Sequence, residues 1–263
     1  MRLILVLLVL AAIGLGGCNP PDNSNANSNA NGNGNGNGNR ADFKPPPPIK
    51  PAEAVDPNFK ACNPYFPLVP GSVAKYVINY SSGIVGDLTI IVDAADEDGQ
   101  KVFTQRSQLI DRSGGMQITQ SIVRKFVCDG SIVRILSEKT ESNVAGQPSA
   151  LDFEYRENSV MMTDPQSLSR KGTSWSHAFR TVYHNPGQPP SRSDVPTVIS
   201  FEVAGTEDVT TSAGAYKAVK ILRKIGENGT VDYYVAGIGL VKRQDTGGTS
   251  WELKEFSGLK AQQ

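Results

Sequence analysis

From Ala74 onward, apolar and polar positions alternate with a period of two. Ala74, Tyr76, Ile78 and Tyr80 are separated by Lys75, Val77 and Asn79, the spacing of a half-buried strand. Gly83 and Gly86 interrupt it, and Leu88, Ile90 and Val92 carry the next strand over residues 87–93. Asp96-Glu97-Asp98-Gly99 predicts a turn into a strand over residues 101–110, which stops at Arg112-Ser113-Gly114-Gly115. Met116, Ile118, Gln120, Ile122, Arg124 and Phe126 then share one parity and lead to Cys128-Asp129-Gly130. Asp-Gly between two alternating runs is a hairpin signal, and residues 131–139 read as the returning strand.

Residues 151–156 and 159–163 read as short strands flanking Glu157-Asn158, residues 164–170 as a short helix or loop, and residues 175–183 as strand. Pro186, Pro189, Pro190 and Pro196 make residues 185–196 a loop, because proline interrupts ladders and helices alike. The last third is a meander of strands over 197–211, 215–225, 230–235, 240–244 and 250–256. Glycine-bearing turns separate them, at the spacing of sandwiches and barrels. No long stripe of period 3.6 occurs, so the class is all-β with minor α.

The N-terminus follows another pattern. Met1-Arg2 precedes an apolar run over residues 3–13 and then Leu15-Gly16-Gly17-Cys18. The run is shorter than the ~18–20 residues of a spanning helix. In order and register this stretch resembles the lipobox signal of bacterial lipoproteins. The resemblance implies cleavage before Cys18, a diacylglycerol thioether on Cys18, usually a third acyl chain on its amine, and membrane attachment through those chains, since two or more give stable anchoring. Asn19, in place of Asp, points to the outer membrane if the cell is Gram-negative. The alternatives are an ordinary secretory signal with an incidental cysteine, or an N-terminal membrane anchor.

Between Asp22 and Arg40 no apolar side chain exceeds alanine, and Asn and Gly alternate strictly over 31–39. Such a stretch buries too little to offset its ordering entropy. Pro45 to Pro48 and Pro51 favour extended polyproline geometry. The organisation is therefore a signal peptide (1–17), a lipidated N-terminus with a disordered Asn/Gly- and Pro-rich tether (18–60), an antiparallel β domain (61–258) and a short tail (259–263).

The charge balance is neutral, 26 basic against 26 acidic residues. With no basic stripe, nucleic acid is excluded as an expected partner. Of the 3 cysteines, Cys18 belongs to the lipobox. Cys62 and Cys128 remain, as a disulfide in an oxidising compartment or as two buried thiols.

Candidate chemistry is sparse. Asp93, Asp96, Glu97, Asp98 and Gly99 bring carboxylates together, but the calcium-loop spacing fails, with Ala94 and Gln105 at its first and twelfth positions. His177 and His184 are the only histidines, too few for a zinc site without cysteine pairs. Ser72-Val-Ala-Lys75 matches Ser-x-x-Lys, yet it lies in a strand and lacks its partner motifs. The glycines of residues 32–38 are low-complexity and no Gly-x-Ser-x-Gly is present. The expectation is neither enzyme, metal site nor cofactor.

Tyr65-Phe66-Pro67-Leu68-Val69-Pro70-Gly71 followed by Tyr76 resembles the opening of many secreted bacterial β proteins of uncharacterised role. Residues 213–220 and 233–242 resemble their closing hairpins. Val73 or Lys75 stands where those proteins often carry Trp. They are similar to the Lol-type lipoprotein carriers, so the resemblance implies a strongly curved antiparallel sheet, an open half-barrel with an apolar concave face. On that reading the domain binds a hydrophobic ligand (a lipid, acyl chain or peptide) in the cell envelope. The alternative is a structural or protein-interaction lipoprotein with no small ligand. No ligand-contact residues are assigned.

Overall fold

The computed structural model describes residues 46–111, 118–144 and 146–258. Cys18, the signal, most of the tether and residues 259–263 lie outside them. Six strands follow one another as antiparallel neighbours: β1 (Val73–Asn79), β2 (Val85–Glu97), β3 (Gln100–Asp111), β4 (Ile118–Asp129), β5 (Ile132–Val144) and β6 (Gln147–Tyr155). A short β7 (Val160–Met162) pairs with β5, and a one-turn helix, α1 (Pro165–Leu168), follows. Asp164 caps α1 by accepting from the Ser167 N–H, and Pro165 occupies its first turn. Next come β8 (Ser174–His184) and the two-residue β9 (Ser191–Arg192). The meander is β10 (Thr197–Thr211), β11 (Gly214–Ile225), β12 (Asn228–Val235), β13 (Gly239–Asp245) and β14 (Ser250–Ser257).

The sheet is closed, and this corrects the expected open half-barrel. β14 pairs with β1, and β10 pairs with β8 as well as β11. β1–β6, β8 and β10–β14 therefore form a ring of twelve antiparallel strands. Alternation specifies which face of a strand is buried, but not whether the last strands meet the first. Here the proline-rich stretch read wholly as loop supplies the closure. Within it Ser191 and Arg192 pair with Tyr183 and Val182, on the edge of β8 that Thr197–Glu202 of β10 continues. Closure leaves the ring without an open edge for another chain to extend.

Turn chemistry also differs in detail from the sequence reading. Asp96 and Glu97 belong to β2, and the turn is Asp98-Gly99, both with positive φ, 50° and 79°, the type I′ pattern whose twist matches the strands. Asp129 pairs with Ile132, so the β4–β5 turn is Gly130-Ser131 with glycine first.

The outer face carries ion pairs such as Lys75–Glu255, Lys125–Glu97, Lys139–Glu141 and Lys242–Glu252. The inner face is apolar, with Phe126, Ile221, Val203 and Val133 fully buried. A membrane-spanning barrel has the reverse arrangement. Among the described residues no helix is long and apolar enough to cross a membrane.

Eight strands already leave an interior that side chains can fill, so twelve require more. The chain itself supplies the filling. Phe59, Cys62, Tyr65 and Phe66 pack into the main core, with Phe66 edge-on to Phe126 at 5.3 Å and Phe59 edge-on to Phe103 at 6.3 Å. Asn63, fully buried, holds this plug. Its Nδ2 donates to the Ser131 and Thr163 carbonyls, each at 2.8 Å, while its Oδ1 accepts from the Tyr65 and Phe66 N–H groups. Beside it Cys62 and Cys128 are joined in a disulfide, their Cα atoms 6.3 Å apart.

Residues 46–55, which composition places in the tether, run as a strap over β2 and β3. Gln108 donates to the Pro47 carbonyl, Arg106 to that of Lys50, and the Ala52 N–H donates to Asp93. Gly71 makes room for the strap. Its φ is +82°, and a Cβ there would meet the Ala54–Val55 backbone at 2.6 Å.

Candidate functional site

Charged residues at inward positions of otherwise apolar strands converge inside the barrel. Arg124 on β4 and Glu138 on β5 are cross-strand partners. The guanidinium donates from Nε and Nη2 to the two carboxylate oxygens at 2.8 and 3.2 Å, and the Tyr155 hydroxyl donates to Oε2 at 3.1 Å. Burial works against the Arg124 charge, but Glu138 outweighs it and raises the arginine's pKa. Burial, reinforced by Glu138, pushes the Tyr155 phenol well up.

Asp232 on β12 and Arg243 on β13 form the second pair, joined at 2.6 and 2.8 Å by Nε and Nη2. Arg243 also lies over the Trp251 ring, 4.7 Å from its centroid, which adds a cation–π contact. Burial alone would raise the Asp232 pKa. The adjacent Arg243 and Arg223 charges reverse that and hold it below the ordinary carboxylate value.

Arg223 on β11 is different. It is 9% exposed, and Nη2 reaches the Thr230 Oγ1 at a long 3.5 Å. Its buried Nε has no hydrogen-bond partner. Among the described residues no carboxylate forms an ion pair with it. Burial, aided by the Arg243 charge, depresses its pKa to about 10. Across the ladder Arg223 faces Phe201, and Phe201 faces Trp175. The last two rings stack at 5.1 Å, and the Trp175 Nε1, also buried, lacks an acceptor. His177 accompanies them, its Nδ1 hydrogen-bonded to the Val160 carbonyl at 2.9 Å, with its pKa lowered by burial.

Two cavities border this centre. One, about 70 Å³, is lined by Arg124, Glu138, Tyr155, His177, Arg223 and Arg243 with Phe201 and other apolar groups. The other, about 100 Å³, shares Arg124, Arg243 and Met161 and extends to Tyr76, Trp251 and Phe256. A larger groove of about 560 Å³ lies open at the β3–β8 surface between Gln108, Gln120, Ser142, Pro148 and Pro186. It lacks convergent charge and its walls are mainly neutral side chains.

Of the positions singled out by sequence, His177 reaches this centre and the others below fall elsewhere. Cys18 lies outside the described residues. Ser72 and Lys75 do not converge, because Ser72 is buried and Lys75 faces outward to Glu255. Asp93 holds Arg106 and Glu97 holds Lys125, so those carboxylates are engaged separately. His177 and His184 have opposite parity on β8, and His184 contacts Asp152 at 2.8 Å. Arg124 and Arg223 carried one readable signal, a charge at the parity that the strand otherwise fills with residues such as Ile122 and Phe126 or Ile221 and Ile225, whereas Glu138 and Asp232 share their parity with polar residues such as Thr140, Ser142, Asn228 and Thr230.

No protein-family model matches the chain, and no curated protein matches it significantly. Among solved structures it is similar to an exported protein of YmcC-like fold from Bacteroides fragilis, at 15% identity and a TM-score of 0.46. The match covers 74% of this chain and 100% of that one.

Proposed function

We propose that the protein is a lipid-anchored protein of the cell envelope, held through Cys18, whose barrel binds a small ligand with an apolar body in its interior. The observation that carries the binding reading is the pair of adjoining cavities. Both have aromatic and aliphatic walls and a few convergent polar groups, the composition of ligand sites. Their size narrows the expected ligand. A dry cavity of about 150 Å³ accommodates benzene, so volumes of about 70 and 100 Å³ suit a short chain rather than a ring. A long acyl chain would require the 59–67 plug to move. Anchoring rests on the lipobox sequence alone.

The closed, plugged barrel also favours a second reading, a self-packed domain whose role is to meet an envelope partner. Native mass spectrometry of the full chain purified from bacterial membranes separates the two. A co-purifying small molecule, released by organic extraction, supports ligand binding. A protein that remains apo when challenged with short-chain alcohols and acids overturns it in favour of the packed domain.

A further inference from the structure

Building on the ligand-binding reading, we infer that the interior site selects a small carboxylate with an apolar body, whose oxygens take the free guanidinium edge of Arg223. Three arginines and two carboxylates meet in the barrel, and each carboxylate is already engaged. Glu138 receives Arg124 and Tyr155, and Asp232 receives Arg243. One positive charge is therefore left over. The donor with no partner, Nε of Arg223, belongs to that leftover residue and is fully shielded from solvent. An unpaired buried guanidinium is costly to keep, and what it lacks is an acceptor bearing negative charge.

The surroundings support the same chemistry. The second unpartnered nitrogen, Nε1 of Trp175, is also a donor and lies two ladder positions away across Phe201. Only Arg223 lines the cavity, and a cationic or purely hydrocarbon ligand would leave its deficit in place. Arg223 borders a cavity whose Glu138 carboxylate is neutralised by Arg124 and whose other walls include Ile199, Ile225 and Phe179. A carboxylate suits a guanidinium, and a short aliphatic body suits the space of about 70 Å³ beside it.

The test is titration of the full chain with hexanoate and, separately, with hexan-1-ol. The chain has only 2 tryptophans, Trp175 and Trp251, both at the centre, so their fluorescence reports occupancy directly. Calorimetry gives the affinities. Hexanoate should bind at least about tenfold more tightly than hexan-1-ol, the gain expected of a charge-assisted hydrogen bond. Arg223→Met should abolish the difference between the two probes. Arg223→Lys, which keeps the charge and loses the fork, should retain part of it and serves if the methionine variant does not fold. Equal affinity for acid and alcohol in the wild-type chain overturns the carboxylate inference and leaves the ligand-binding reading standing. Failure of both probes to bind overturns the two together.

Discussion

Asp232 and Arg243 face each other across β12 and β13 with two hydrogen bonds of 2.6 and 2.8 Å, and Asp232 is 1% exposed. Removing one partner strands the other charge in the core. Asp232→Asn should cost about 3–5 kcal/mol, the range for breaking a buried pair, because Arg243 and Arg223 would then repel without a counterion. Its folded pKa is depressed, so its contribution is fully present above the ordinary value of 3.8 and is lost as pH falls through the folded value. Urea denaturation at neutral and acidic pH measures both effects. A variant as stable as the wild type would contradict the pairing.

Arg223 should behave in the opposite way. Among the described residues it makes no ion pair of its own, and burial and the Arg243 charge outweigh its attraction to Asp232, so Arg223→Met removes a desolvated charge and adds apolar contact. Without ligand, its melting temperature should equal or exceed that of the wild type, with a gain of up to ~1–4 kcal/mol on the scale seen when buried ions are replaced by apolar groups. A large loss would show that Arg223 already has a partner in the folded state.

His177 should make the barrel acid-sensitive. Burial lowers its folded pKa below the ordinary 6.5, so the unfolded chain binds a proton that the folded one resists. Stability then rises with pH through the window between the two values and falls as pH drops below 6.5. His177→Gln should flatten that part of the stability curve. Equal slopes in wild type and His177→Gln would remove the histidine from the account.

The disulfide clips a plug into a ring, and its sequence separation is 66. In the chain-entropy picture a closed loop of that length is worth about 4 kcal/mol. The Cys62→Ser, Cys128→Ser double variant should lose stability on that scale. Wild-type protein treated with reductant should match it. If neither changes the denaturation midpoint, Asn63 and the aromatic contacts hold the plug unaided.

Cys18→Ala tests the anchor. The lipobox leads us to expect that this variant leaves the membrane fraction for the soluble one. An unchanged membrane fraction would falsify lipid attachment at this residue.

Strand parity was legible because each strand faces one apolar and one polar environment. The run Ile118, Gln120, Ile122, Arg124, Phe126 was read on one face, and the structure pairs it across β4 with β3 and β5. Closure was not legible, since the pairing of Thr197–Glu202 with Ser174–Phe179 joins strands across a proline-rich segment whose path no local pattern specifies. Asn63 lies at the start of the 61–258 domain, in a stretch where no alternation marks it as buried. Its four hydrogen bonds depend on Ser131 and Thr163, distant in sequence. The arginine centre was half visible, since Arg124 and Arg223 stand out against the apolar residues of their own parity, while Glu138 and Asp232 do not and the convergence needs the ring to close.

The strap and the disulfide together set a path for mechanical load. A pull on residue 46 from the N-terminal side first meets the contacts of Pro47, Lys50 and Ala52 with β3 and β2. These break one at a time, as a zipper peels. Behind them the load reaches Cys62, where a covalent bond transfers it into β4, a strand paired on both sides along its length. Tension along the N-terminal chain is thus absorbed first by a peelable seam and then spread across the barrel wall, without levering β1 away from β14.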